Sequence, residues 1–250
     1  MNLYVCIKQV PDDQEKVTLA ADGSAEVSSI TPVVNAFDTY SLEMAARFKE
    51  ASEGEITVVT IGGSETVPSL RSCLAVGADH ALRIDGASGL STYEKASAMA
   101  EALADKPFDI IMCGRESTDM ISGQFGVTLA ELMGLPVITD VIALEKKADG
   151  SVAVHQETEL GYKEFEINSK CVLTVSTPDY QPRYPSMKSK IAARKMPVDE
   201  QACAAATMPD PVKKALFTPD VRSGGIKIKE NDSTAAVEKA AALLKEQGLI

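Results

Sequence analysis

The chain has 250 residues, 45% of them hydrophobic, which fits one large α/β domain or one domain with an appendage. Its formal net charge of −11 argues against general nucleic-acid binding, and no run of about 18 apolar residues is present to cross a membrane. His80 and His155 are far apart, which argues against a histidine-based metal site or a Ser/His triad; five cysteines without CxxC spacing and an N-terminus lacking a leader pattern predict buried, reduced thiols in a cytoplasmic protein.

Residues 2–8, NLYVCIK, form a short apolar run that predicts a buried strand. Alternation over 17–27 is broken by Asp22-Gly23, a hairpin signal. From Phe37 to Lys49 apolar residues recur at helical spacing; Asp38 and Asn35 are either its N-cap and a turn residue or a pair that orients a ligand at the mouth of the sheet. EITVVTIGG (55–63) predicts a strand closed by two glycines. Residues 64–76 predict a helix ending at Gly77, 80–84 a strand, 92–104 a helix and 108–114 a strand. The segment 114–136, GRESTDMISGQFGVTLAELMGLP, predicts a polar loop and then a helix beginning near Ile121 or Ser122. Four strand-like runs follow, up to KCVLTVST.

Strands alternating with helices over 1–136 predict a mostly parallel, Rossmann-like sheet with helices on both faces. In such sheets ligands sit at the carboxyl ends of the strands, here residues 8–11, 61–64 and 113–118. From Pro178 onward seven prolines fall before residue 220. Only 233–247 then looks helical, with Ser233 as the expected cap. The expected division is therefore a nucleotide-binding domain over 1–178 and a docking loop with an extended C-terminal arm over 179–250.

The loop after Gly114 can be a phosphate cradle or a connection that only caps its helix. A strand handing over to a helix points free amides and the positive end of the helix dipole at any anion beyond the strand. Gly123 and Gly126 allow close approach, and Ser117, Thr118, Ser122 and Gln124 supply hydrogen-bonding side chains. Asp119 has the wrong sign for a phosphate; it would cap, hold the loop or accept from a ribose. Around Met187, Arg183, Lys188, Lys190, Arg194 and Lys195 are five cations without an acid among them. Such a loop is either a solvated linker or a docking surface for an acidic partner.

Four stretches, VCIKQVPD (5–12), VVNAFDTYSLEMAARFKE (33–50), the 114–136 segment and QPRYPSMKSKIAARKMP (181–197), together resemble the β subunit of electron transfer flavoproteins, in order and spacing across essentially the whole chain. The last stretch is closest to the branch associated with nitrogen fixation and carnitine metabolism. The resemblance implies a heterodimer with an α subunit that carries redox-active FAD. This chain would hold AMP or a second FAD, the latter in members that bifurcate electrons from NADH. Its C-terminal arm would wrap the α subunit. The nucleotide would touch Cys6, Lys8, Asn35, Asp38, Ile61 and Gly62, with its phosphates against Asp119, Ser122, Gly123, Gln124 and Phe125. Arg183, Tyr184, Met187 and Lys188 would dock onto an acyl-CoA dehydrogenase.

Two departures point in opposite directions. Phe125 stands where AMP-binding members often carry threonine, and an apolar residue there is more usual with FAD. Lys95 and Ala96 fall where bifurcating members carry a Thr-Ser pair. AMP and FAD both stay open. Residues for catalysis by this chain itself are not evident, so flavin would supply the redox chemistry. The alternative class is a stand-alone nucleotide-binding stress or sensor protein, which shares such a core but needs no proline-rich tail.

Overall fold

The computed structural model describes residues 1–85, 89–204, 217–218 and 224–250. Its first half runs β1 (Asn2–Cys6), β2 (Gln9–Pro11), β3 (Thr18–Leu19), β4 (Ala25–Glu26), β5 (Pro32–Val34), α1 (Ala36–Ala51), β6 (Glu55–Ile61), α2 (Val67–Val76), β7 (His80–Asp85) and α3 (Thr92–Leu103). The second runs β8 (Ile110–Gly114), α4 (Phe125–Met133), β9 (Val137–Lys146), β10 (Val152–Thr158), β11 (Gly161–Ile167), β12 (Cys171–Val175), α5 (Met187–Ala193), β13 (Asp199–Ala202) and α6 (Ser233–Glu246).

The chain divides into two units, one of residues 1–18 and 25–214, the other of 19–24 and 215–250. The first holds a nine-stranded sheet in the order β11-β10-β9-β12-β8-β1-β6-β7-β13. Pairing is parallel from β9 across to β13 and antiparallel from β9 out to β11. Strand direction of side chains alternates, so β1 serves two cores. Leu3 and Val5 pack with α1, α2 and α5 on one face. Tyr4 and Cys6 pack with α3 and α4 on the other. Burial on both faces is why β1, β6, β8 and β12 read as mostly apolar runs without period-2 alternation. The expected α/β class, with a mostly parallel sheet and helices on both faces, is what the chain adopts.

Several local expectations are corrected. The N-cap of α1 is Asn35, not Asp38, which lies in the first turn. The helix expected over 64–76 is a 3₁₀ turn, Ser64–Thr66, and then α2, with Pro68 in its first turn. The helix expected from Ile121 or Ser122 begins at Phe125, because Ile121 (φ 48°) and Gly123 (φ 61°) are left-handed and break the turn. The stretch just after Pro178 is not structureless. Ser186 caps α5 by accepting from the Ser189 amide, and β13 adds to the sheet edge beside β7. Pro209, Pro211 and Pro219 lie outside the described residues.

In the second unit a turn at Gly23 brings the Ala20 amide 2.8 Å from the Ser24 carbonyl. α6 is capped by Asp232 rather than Ser233; its carboxylate accepts from the Ala235 amide at 3.1 Å. Val237 and Leu244 on this helix are exposed. No helix among the described residues is long and apolar enough to cross a membrane.

Candidate functional site

The chain order steps from β1 to β6 and β7 on one side, then returns to β8 on the other. A crevice opens at the carboxyl ends of the strands where the order reverses. There the ends of β1, β6 and β8, the start of α3 and the loop before α4 enclose a cavity of about 400 Å³. That volume is in the range of small-molecule sites. Cys6, Lys8, Asn35, Asp38, Ile61 and Gly62 all line it, and so do Asp119, Ser122, Gly123, Gln124 and Phe125. The structure thus brings together every residue that the resemblance placed at the nucleotide; of the loop residues read from their type, Ser117 also lines the cavity, while Thr118 and Gly126 do not.

Asp38 and Asn35 build the frame. The Asp38 carboxylate accepts from the amide of Lys8 at 2.7 Å and from the amide of Gly114 at 3.1 Å. One side chain on α1 thereby ties the ends of β1 and β8 together. The buried Asn35 side chain donates to the Glu116 carbonyl at 2.8 Å and accepts from the Thr118 amide at 3.1 Å, which holds the 115–124 loop. Lys8 then reaches across the mouth. Its Nζ is 2.6 Å from the Asp119 carboxylate and 3.2 Å from Ser117 Oγ. Asp119 therefore holds the loop, one of the roles weighed for it, and is no helix cap. Burial alone would raise the Asp119 carboxyl; the bonds from Lys8 and Ser117 hold it below its ordinary value.

Within the loop the amides of Met120 and Ile121 both turn back on the Ser117 carbonyl. Ile121 is β-branched in a left-handed conformation, a costly arrangement that the surrounding bonds must enforce. Downstream, α4 begins without any side-chain cap. Its close seat on the sheet depends on Gly126, where a Cβ would come 2.6 Å from Thr174 Cγ2. The contrast with α3 is instructive. Ser91 accepts from the Glu94 amide while Glu94 accepts from the Ser91 amide, so that helix satisfies its own first turn. The α4 terminus keeps its amides and its positive dipole end for something in the cavity. This donor set fits a phosphate.

Burial pushes the Asp38 carboxyl up to about 7, against the pull of hydrogen bonds from Asn35, Lys8 and Gly114. In the unfolded chain it titrates near 4. The folded state therefore holds the proton more tightly, and stability falls as pH rises from about 4 to about 7. Denaturant unfolding of wild type and Asp38→Asn at pH 4.5, 6 and 7.5 checks this. Wild type should lose a few kcal/mol relative to the variant across the window; a pH-independent difference would refute it.

Cys6 and Cys113 lie side by side on β1 and β8. The hydrogen bond from Cys6 and burial raise the Cys113 thiol well above its ordinary value. Both are free thiols, and so are Cys73, Cys171 and Cys203; all but Cys203 are buried. High thiol pKa makes Cys113 a poor nucleophile.

The electron transfer flavoprotein domain family matches residues 28–206. Electron transfer flavoprotein subunit beta of Syntrophomonas wolfei subsp. wolfei is 32% identical over 96% of this chain and 94% of that one. The subunit of the same name from Megasphaera elsdenii is 31% identical over 100% of both chains. The chain belongs to the electron transfer flavoprotein family. It is of the β-subunit type, and its work is electron transfer. A 28% identical relative over the whole of both chains is the caffeyl-CoA reductase-Etf complex subunit CarD of Acetobacterium woodii.

In this electron transfer flavoprotein chain the 181–197 segment, expected from the sequence to dock a partner, lies outside the cavity. Arg183 is not one of five free cations. Its Nε is 2.8 Å and its amide 3.1 Å from the Glu43 carboxylate, and its guanidinium also bonds Glu50. Tyr184 (94% exposed) and Met187 (73%) project, with Ile191 one turn on from Met187. Lys188, Lys190, Arg194 and Lys195 surround them, exposed.

The sequence reading left other cavity residues unassigned. Thr66, Ser91, Lys95, Met99, Arg115 and Glu116 also line it. Thr92, Lys95 and Met99 form one stripe of α3, so the helical phase was the available signal. Only the fold shows that the stripe faces the ligand crevice.

Proposed function

We propose that this chain is the β half of a heterodimeric electron carrier, paired with an FAD-bearing α subunit, and that its cavity holds an adenine nucleotide, either AMP or a second FAD. The observation that carries the reading is the uncapped start of α4, aimed into a crevice framed by Asp38, Asn35 and the Lys8–Asp119 bridge. The amides from Gly123 onward would take a phosphate, while Ile61, Gly62 and Cys6 wall the cavity at the strand ends. Flavin supplies the electron-carrying chemistry. The residues of this chain bind, orient and exclude water.

Tyr184, Met187 and Lys188 would present the carrier to an acyl-CoA dehydrogenase or a related reductase of CoA esters. The Acetobacterium relative, named for a complex with such a reductase, supports that class. The cations around Met187 would steer the encounter with an acidic partner. The C-terminal arm would run along the α subunit, which would cover the exposed apolar side chains of α6. A cytoplasmic site suits this role.

The test is co-purification with the α subunit, followed by counting flavin and AMP in the released cofactors. The expected result is FAD plus one further adenine nucleotide per heterodimer. A Gly123→Val variant should lose that second nucleotide, because its φ of 61° strains a β-branched residue. A heterodimer with FAD alone, or a variant that keeps full occupancy, would displace the cradle from this loop.

A further inference from the structure

We infer that Lys95 reads a second phosphate, so that the cavity prefers an adenine nucleotide carrying a diphosphate over the monophosphate; this rests on the nucleotide reading of the cavity given above.

The argument begins from the partners of the charged groups that line the cavity. Lys8 pairs with Asp119 at 2.6 Å, and Arg115 pairs with Glu116 at 2.8 Å. Asp38 accepts two backbone amides, and Glu65 accepts from the Gly63 amide at 2.9 Å. Lys95 alone among these wall residues has no ion pair and no side-chain hydrogen bond within the described residues. It stands on the same stripe of α3 as Met99, which is buried in the core, so the backbone fixes its direction toward the crevice. Burial and the neighbouring Lys8 both lower its ammonium below the ordinary lysine value, and Asp119 only partly offsets them.

A half-buried ammonium without a counter-ion is costly, and it becomes favourable when a ligand brings the opposite charge. The amides of the α4 start already suit one phosphate. A monophosphate seated there leaves Lys95 uncompensated. A diphosphate extends the negative charge into the crevice between α4 and α3, two helices that pack against each other. A lysine suits this role as a point charge on a flexible stem. The ligand class is thus the ADP moiety, free or as part of a dinucleotide.

The experiment measures affinities of the nucleotide-stripped, full-length chain in its heterodimer for ADP and for AMP by calorimetry. Wild type, Lys95→Ala and Lys95→Arg are compared, each with a melting curve. Wild type should bind ADP roughly 10- to 100-fold tighter than AMP, the range of a charge-assisted hydrogen bond. Lys95→Ala should reduce that ratio to within about threefold, with AMP affinity and melting little changed. Lys95→Arg should keep most of the preference. A wild-type ratio near one, or a preference that Lys95→Ala leaves intact, overturns this inference while the nucleotide site stands. Equal loss of both affinities in Lys95→Ala also overturns it, since that is the mark of a structural or general steering role. Failure of wild type to bind either nucleotide overturns the cavity reading and this inference together.

Discussion

Gly114→Ala is expected to lower the melting temperature by roughly 6–12 °C and to empty the cavity of nucleotide. Gly114 ends β8 where α1 presses on the sheet. A Cβ there would overlap Asp38 Oδ1 and come 2.7 Å from Phe37 Cβ and 2.9 Å from the Asp38 backbone nitrogen. Two of these neighbours are backbone or Cβ atoms and cannot rotate away. Either α1 lifts or the end of β8 drops. Both movements break the Asp38 carboxylate away from the Gly114 and Lys8 amides that it holds together. Overpacking of this kind costs about 3 kcal/mol, which in a chain of this size corresponds to the stated shift. The proposed nucleotide would be lost through the same frame, because the 115–124 loop starts from Gly114. Gly225→Ala, where a Cβ would meet nothing within 4 Å, is the matched control and should melt like wild type. Calorimetric melting of the three proteins, with adenine content measured after heat release, decides it. A Gly114→Ala protein that melts within about 2 °C of wild type and keeps its nucleotide would mean that α1 and β8 are not packed as the structure has them.

How much of this was legible beforehand follows from the range of each cause. The sheet could be read because β1, β6, β8 and β12 are buried on both faces, and such burial leaves mostly apolar runs. The position of the polar loop at the strand ends could be read because residue types carry it: small residues and hydroxyls between a strand and a helix. The start of α4 could not, since it depends on Ile121 taking a left-handed conformation that its type disfavours. Asn35 and Asp38 are both good cap residues. Which of them caps α1 is decided by burial and by what each must hold, the loop for Asn35 and the strand ends for Asp38. α5 has only seven residues, too few to show a helical period, and β13 reads DEQA, with no apolar alternation at all. Its strand identity comes from pairing beside β7, with Arg83 bridging to Glu200 at 2.9 Å. The partner of Arg183 lies 140 residues away, beyond any local pattern.

That last contact separates two residues that the sequence had grouped in one docking loop. Arg183→Met should act mainly on stability, and Met187→Ala mainly on electron transfer. The Glu43 side chain is 3% exposed. Burial would raise its carboxyl, but Arg183 and Arg47 together hold it below its ordinary value. Removing Arg183 leaves this carboxylate with Arg47 alone, and the loss of a partner to a buried charge is strongly destabilising. Arg183 is itself a third exposed, so the cost is discounted to about 2 kcal/mol. The sign of the pH effect follows. Since the folded-state carboxyl is depressed, the stabilisation exists at neutral pH and fades as pH falls through that depressed value, so wild type and Arg183→Met should converge in acid. Met187 has no such tie. It is 73% exposed at the start of α5, and its truncation should leave melting within about 1 °C of wild type while slowing electron exchange with the proposed dehydrogenase or reductase partner roughly tenfold. Stopped-flow transfer rates and melting curves of the two variants form the test. If Arg183→Met slowed transfer and melted like wild type, the guanidinium would be working at the docking face, and the tether from the 181–186 segment to α1 would carry no weight in the fold.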